Sequence, residues 1–516
     1  MFVKPSLEYG DLLPVLVVLG VACLGIVVEA FFPREQRRLT QVSLAVIGLV
    51  VALVRTVLIG TGPGHAIAEG ALSADGPTMV VWGLVLVVSL GGVLLFAERQ
   101  LTGASVFAGQ AAALPGTAAE REASQQGLEH TEVYPLLMFA VAGMMLFAAA
   151  DDLLMLFVGL EVLSLPLYIL TGLARQRRLL SQEAAMKYFL LGAFSSGFLV
   201  YGLAMVYGYA GSMSFTAIAA AHGPHALLLL GMGLMAVGLL FKVGAVPFHG
   251  WTPDVYQGAP TPVTAWMSAA TKIAAFGALL RLVYIAFGHE ASSWRPTLGI
   301  IAVITMLLGS AFAVVQSDVK RMLGYSAVAH TGFLLTGAVG LSTGSFGGIT
   351  STQAVLFYLT SYAAATVGAF AIASLVRGRG GAGGEAGALA RWAGLGRRSP
   401  LVAGAFAVLL LSMAGIPLTG GFIGKWAVFS VALAAGQWPV VVLAVASSIV
   451  AVFFYVRVIL VMFFAEPELG IEQGEVARPS LLTSGTIAVT VAATFFLGVV
   501  PDPVLHLLGN AGSFIG

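Results

Sequence analysis

Fourteen apolar runs, most of them long enough to cross a bilayer, constrain this chain more than any other feature. They fall at 11–32, 40–60, 77–97, 133–150, 152–172, 181–211, 226–248, 262–288, 296–316, 319–341, 351–377, 400–435, 438–465 and 480–508. A spanning helix needs about 20 apolar residues, because the hydrocarbon core is roughly 30 Å thick and a helix rises about 1.5 Å per residue. The spacing therefore predicts fourteen transmembrane helices in one bundle. Composition supports this. Of 516 residues, 9% are charged and 59% hydrophobic, against about 25% charged in a soluble domain. A soluble enzyme of this composition could not cover its own surface, and a disordered or collagen-like chain is excluded. The first run ends at Phe32-Pro33 without a small-residue cleavage site and follows Glu8 and Asp11, so it reads as a helix and not as a cleaved leader.

Charge decides orientation and excludes some chemistry. A net charge of +1 offers no surface for nucleic acid. Cys23 is the only cysteine, so no internal disulfide, iron–sulfur cluster or cysteine-based zinc site is expected here. Any redox centre would lie on another chain. Of the 25 Lys and Arg, sixteen follow the odd-numbered runs: Arg34, Arg37, Arg38, Arg99, Arg121, Arg175, Arg177, Arg178, Lys320, Arg321, Arg377, Arg379, Arg391, Arg397, Arg398 and Arg478. The other side has Lys4 and Arg295. By the positive-inside rule, both termini face away from the cytoplasm. The segment after run 7 should also be cytoplasmic, yet it has no Lys or Arg.

Seven basic residues fall inside runs, away from their first and last three residues: Arg55, Lys187, Lys242, Lys272, Arg281, Lys425 and Arg457. Sixteen of 19 Arg lie outside the runs or at their very ends, whereas four of six Lys lie in run interiors. Arginine stays charged, but a buried lysine can exchange its proton near neutral pH. Glu161, nine residues into run 5, is the most deeply placed acid. Arg55, Arg281 and Arg457 read as interfacial or packing charges. The formal G-x-G-x-x-G match at Gly378, Gly380 and Gly383 follows no strand and carries no nucleotide reading.

Two runs must be broken. Run 12 would make a rod of about 54 Å, and it contains Gly415-Ile416-Pro417-Leu418-Thr419-Gly420-Gly421 just before Lys425. Run 7 ends in Lys242-Val243-Gly244-Ala245-Val246-Pro247-Phe248-His249. Broken helices at depth are tolerated only inside protein or beside a wet cavity. Runs 7 and 12 are five apart, which suggests five-helix repeats over helices 4–8 and 9–13. Five is odd, so the second is inverted, as in transporters whose ion site lies at the broken helices. The same offset pairs run 5, with Glu161, and run 10, with His330. The expected organisation is three N-terminal helices and a loop at 1–132, repeats at 133–288 and 289–466, and a loop with a final helix at 467–516.

FKVGAVPFHGWTPDVYQGAPTPVTAWMSAATKIAAF (241–276), GLEVLSLPLYIL (159–170), AMKYFLLGAFSSGF (185–198), SDVKRMLGYSAVAHTGF (317–333) and GIPLTGGFIGKW (415–426) resemble the antiporter-like membrane subunits of respiratory complex I and the related Mrp-type antiporters. WTPDVYQGAPTPV, a lysine at Lys425 and a chain ending soon after run 14 are similar to the N branch of that family. The resemblance implies a proton-translocating subunit of an H⁺-translocating NADH–quinone oxidoreductase in a bacterial plasma membrane. FMN, iron–sulfur clusters and the quinone reduction would belong to partner subunits. It implies a relay of Glu161, Lys242, Lys272, His330 and Lys425, with Glu161 as the ion-pair partner of Lys242. Lys187, pairing with Glu161 or placed at the cytoplasmic mouth, and His249, as a gate, would be secondary members. The other readings are an Mrp-type Na⁺/H⁺ antiporter subunit, a membrane-bound hydrogenase subunit, and a scaffold whose buried charges only orient helices. The loops at 98–132 and 378–396 look long for the family and carry no role in this reading.

Overall fold

In the computed structural model the described residues are 7–60, 62–101, 105–107, 109, 117–119, 122, 130–340, 348–378, 384–467 and 470–515. Lys4, Arg121, Arg379, Gly380 and Gly383 lie outside them. The chain is an all-helical bundle. Among the described residues, twelve helices are long and apolar enough to cross a membrane. A 17-residue helix and an interrupted pair supply the other two predicted positions. We label the spans α1 Tyr9–Phe31, α2 Arg34–Ile59, α3 Gly76–Phe96, α4 Val133–Ala149, α5 Leu153–Thr171, α6 Arg178–Ala210 and α7a His225–Val243 with α7b Trp251–Gly258. There follow α8 Thr261–Arg281, extended by a π-helical turn to Ala286, α9 Ala291–Val314, α10 Val319–Val339 and α11 Ser351–Leu375. The last are α12a Pro400–Ala414 with α12b Gly420–Ala434, α13 Trp438–Phe463 and α14 Leu481–Val499.

Two expectations need correction. Run 14 is not one helix to 508: it stops at Val499, and Pro501 starts a separate short helix, Asp502–Asn510. The segment after run 7 is not a loop. It folds into α7b, and only Ala259 and Pro260 connect it to α8. A two-residue connection has no room for the basic residues expected there.

Loop contacts show two faces. Bridges and short strand pairs join only connections of like parity. Leu72 meets Ala150 and Asp152 meets Ser214 on one face. Phe107 meets Ala174, Asp318 meets Ala388, and Val376–Arg377 pairs with Glu475–Val476 on the other. Ala259 O accepts from Lys320 Nζ at 3.0 Å, which puts the α7b–α8 connection on this second, arginine-rich face.

Small residues set the closest helix contacts. Gly143 and Gly159 seat α4 on α5, and Gly309 and Gly332 seat α9 on α10; a Cβ on any of them would fall 2.3–2.6 Å from the partner's backbone. Close approach of this kind drives association where lipid is as apolar as the side chains. Three helices, α8, α10 and α11, are buried around almost their whole circumference. They form the axis on which the polar interior is built, while α1, α2, α6 and α13 turn apolar faces outward.

Candidate functional site

The two breaks end in the same way. Gly244 (φ +76°) and Gly415 (φ +85°) are left-handed caps of α7a and α12a. The following amides, Ala245 N and Ile416 N, donate five residues back to Leu240 O at 2.8 Å and Leu411 O at 3.0 Å. This is the usual glycine-terminated helix end. The carbonyls freed by each break do not stay idle. Phe241 O accepts from Trp251 Nε1 at 2.8 Å, Val243 O from Thr331 Oγ1 at 2.7 Å and Ala414 O from Lys425 Nζ at 2.8 Å. Glycine and proline in these runs thus create acceptors at depth, and polar side chains use them.

Lys242, Lys272, His330 and Lys425 are all buried, each less than 5% exposed. Lys242 Nζ donates to Ser164 Oγ at 2.8 Å, beneath the Tyr188 ring. Lys272 Nζ donates to Ala327 O at 2.6 Å and Thr331 Oγ1 at 2.7 Å, 5.0 Å from the Tyr362 ring centre. His330 bonds Tyr358 Oη through Nδ1 at 2.7 Å and Tyr455 Oη through Nε2 at 3.1 Å. Tyr455 Oη also bonds Ser326 Oγ. Lys425 Nζ donates to Ser448 Oγ at 2.9 Å and lies over Phe333. Phe333 packs edge-on against His330.

The expected Glu161–Lys242 ion pair is not formed. Glu161 Oε1 accepts from Ser196 Oγ at 2.5 Å on α6, and the lysine bonds Ser164, one turn further along α5. Two side chains on successive turns of the same helix face receive different partners from α6 and α7a. Lys187 does not reach Glu161 either. It is 44% exposed and pairs with Glu183 at 2.7 Å and Asp254 at 2.9 Å. Asp254 also takes Arg321 at 2.6 Å, giving a charged cluster at the arginine-rich face. Lys187 is the tenth residue of a 33-residue helix, so it lies near the membrane boundary. His249 sits in the α7 break, half-buried, with Nδ1 unpartnered, and the structure does not join it to the other members.

Sequence reasoning found the charges and missed the hydroxyls. Ser164, Thr331, Tyr358, Tyr455 and Ser448 each bond one of the ionisable groups, and none stands out from ordinary core residues by type. The one sequence signal is the four-residue spacing of Tyr358 and Tyr362 on α11, facing His330 and Lys272. Arg281 has the partners of a packing charge. Fully buried, it pairs with Asp75 at 2.6 Å and bonds Thr78 and the Ile515 carbonyl. Arg457 Nη1 donates to Val314 O at 2.7 Å. Among the described residues no group of three His, Cys, Asp or Glu could hold a metal ion.

Known proteins can be compared with this geometry. The family model described as NADH:quinone oxidoreductase/Mrp antiporter, transmembrane, matches residues 150–451. A protein of Nocardioides sp. named NADH-quinone oxidoreductase subunit N is 64% identical over 534 aligned positions, covering 100% of this chain and 99% of the relative. A chain of respiratory complex I from Thermus thermophilus superposes with a TM-score of 0.77 at 32% identity, covering 97% of this chain and 100% of that one. A chain of the Mrp complex from Dietzia sp. superposes with a TM-score of 0.81 at 21% identity, over 98% and 97% of the two chains, a likeness of fold. With more than half of its length matched by the family model and near-complete alignment to a close relative, the chain belongs to the NADH:quinone oxidoreductase/Mrp antiporter family of membrane proteins.

Proposed function

We propose that this chain is a proton-translocating membrane-arm subunit of an NADH–quinone oxidoreductase, of the N type. NADH oxidation and quinone reduction occur on other subunits, which also hold the flavin and iron–sulfur clusters. The arginine-rich face is cytoplasmic, and both termini lie on the opposite side. The repeats span 133–288 and 289–466. The observation that carries the reading is the row of buried Lys242, Lys272, His330 and Lys425, each held by hydroxyls or freed carbonyls and by no carboxylate. A scaffold would pair such charges to avoid their desolvation cost. Here each ammonium is held by neutral acceptors, an arrangement suited to gaining and losing a proton.

The proton order supported by these contacts runs from the Lys187–Asp254–Arg321 cluster and Glu161 to Lys242. It then passes through the Thr331–Val243 link to Lys272, and by Tyr362, Tyr358 and His330 to Lys425 and the far side. Each charge moved against 100 mV requires about 2.3 kcal/mol, drawn from quinone reduction. The identity to a subunit-N relative over the whole chain favours this over the Na⁺/H⁺ antiporter reading. The test is Lys242→Ala in the assembled enzyme in inverted membrane vesicles. Assembly and flavin-site NADH oxidation should persist while the proton-to-electron ratio falls. An unchanged ratio would sink the assignment.

A further inference from the structure

The segment between α11 and α12, without a role in the sequence, reaches across the arginine-rich face to the first repeat. Its backbone is fastened to the start of α10 by Val319 N to Gly387 O at 2.8 Å and Leu389 N to Ser317 O at 2.7 Å. Glu385 is thereby inserted between two helix starts. Its Oε1 accepts from Thr261 Oγ1 at 2.5 Å, at the first residue of α8. Its Oε2 accepts from Lys320 Nζ at 3.3 Å, in the first turn of α10. Lys320 Nζ closes the triangle by donating to Thr261 Oγ1 at 2.8 Å. Only 18% of the Glu385 side chain and 5% of that of Lys320 are exposed. A cavity of about 260 Å³ opens beside this triangle, lined by Arg175, Arg177, Lys320, Arg377, Thr261 and Glu385.

The triangle stands directly above the central lysine. From Thr261 to Lys272 and from Lys320 to Thr331 are eleven residues each, about 16 Å of helix. Both ends of this interval are in contact, Lys320 with Thr261 at the mouth and Lys272 with Thr331 below. On α8 the positions 261, 264, 268 and 272 fall on one face and read Thr, Thr, Ser, Lys, all buried. On α11, Tyr362 beneath the Lys272 ammonium and Thr366 one turn closer to the mouth carry buried hydroxyls that face each other and have no other polar group in reach. Buried polar groups of this kind are satisfied by internal water.

We propose that Glu385 is the cytoplasmic proton-uptake residue serving Lys272. The inference rests on the proton-translocating reading above. A proton from cytoplasmic water in the cavity adds to the Glu385 carboxylate and cancels its ion pair with Lys320, which loosens the triangle. The proton then passes along the Thr264–Ser268 face to the neutral Lys272 amine. The amine becomes an ammonium, and the carboxylate re-forms its pair with Lys320. The charged groups around Glu385 are Lys320 on α10, Arg377 at the end of α11 and Arg177 before α6. Arg177 Nη2 also donates to the Glu385 carbonyl at 2.8 Å. Arg175 lines the same cavity, and Asp318 packs on neighbouring Gly387.

The test uses the assembled oxidoreductase in inverted vesicles, with Glu385→Gln, Glu385→Asp, Thr261→Val and Lys272→Met. Gln keeps the hydrogen bond from Thr261 and removes only the titrating group. The Gln variant should assemble and show turnover-coupled pumping lower by roughly ten-fold at alkaline pH, with little change at acidic pH. Asp should restore most of it, and Thr261→Val should reproduce the Gln profile. A wild-type pH profile in assembled Glu385→Gln or Thr261→Val overturns the proposal. Loss of assembly in both overturns it in favour of a purely structural clamp. Normal pumping by Lys272→Met would instead overturn the relay itself, so the two failures are distinguishable.

Discussion

Lys242, Lys272 and Lys425 meet hydroxyls and backbone carbonyls where Arg281 meets a carboxylate, and the proposed division between relay and packing charges rests on this contrast. Arg281 and Asp75 join α8 to the N-terminus of α3, and Ile515 N donates to the same carboxylate at 3.0 Å. Removing the Asp75 charge leaves buried Arg281 with only the longer carboxylate contact, to Asp151 at 3.9 Å, at a cost of up to about 3–5 kcal/mol. Asp75→Asn should therefore lower the thermal stability of the detergent-solubilised complex by that order, while the surviving fraction pumps normally. Loss of pumping at unchanged stability would mean that Arg281 carries protons. The type of each charge was readable from the sequence, since arginine stays ionised and lysine need not. Its partner was not. Asp75 and Arg281 are 206 residues apart, and nothing local ties them.

At the scale of elements, the breaks were legible because glycine and proline act locally. Gly244 and Gly415 each adopt a conformation that costs other residues about 1–2 kcal/mol, and a proline follows each within three residues. Helix pairing depends on what the small residues face. Gly309 admits Ala329 so closely that a Cβ would fall 2.5 Å from its amide nitrogen. Gly309→Leu should force α9 from α10, displace His330, and abolish stable assembly as judged by native gel, whereas a leucine at Gly404, with nothing within 4 Å of its Cβ, should be tolerated. The loop after α3 also holds elements together. Glu98 accepts from Ser480 N at 2.8 Å and Gln100 N at 2.6 Å, tying α3 to the start of α14. Burial pushes its carboxyl up, but the Ser480 and Thr483 hydroxyls and these amides outweigh this and hold it below its ordinary value. A carboxyl held down in the fold stabilises above its unfolded range, and that contribution is lost as pH falls through its folded range. Glu98→Gln should thus cost about 1 kcal/mol at neutral pH, and the difference should vanish in acid. A constant difference across the melting series would show that the charge is irrelevant.

For the molecule as a whole, the polar line runs from α7a to α12b past one central trio of helices. Lys242 belongs to α7a, Lys272 to α8, His330 to α10 and Lys425 to α12b, and α11 touches the middle of the line with Tyr358 and Tyr362. A line that works in series behaves as a unit, so effects of substitutions should be far from additive. Lys272→Met and Lys425→Met should each reduce pumping nearly as much as the double variant. Additive losses in the double variant, measured as proton flux per NADH, would point to two independent paths.

The sequence by itself determined that the chain lives in a membrane, how many times it crosses, which face carries the arginines, and where two helices break. Each of these follows from a local quantity: apolar length, charge type, or the backbone preference of glycine and proline. Only the tertiary structure decided who meets whom. It put Ser164 where Glu161 was expected, sent Lys187 to Asp254, used Thr331 to join Lys272 to the α7 break, and brought Glu385 over the start of α8. Those contacts depend on helix rotation and packing between segments that are distant in sequence. A hydroxyl that receives a lysine ammonium is chemically the same residue as one that merely satisfies its own helix.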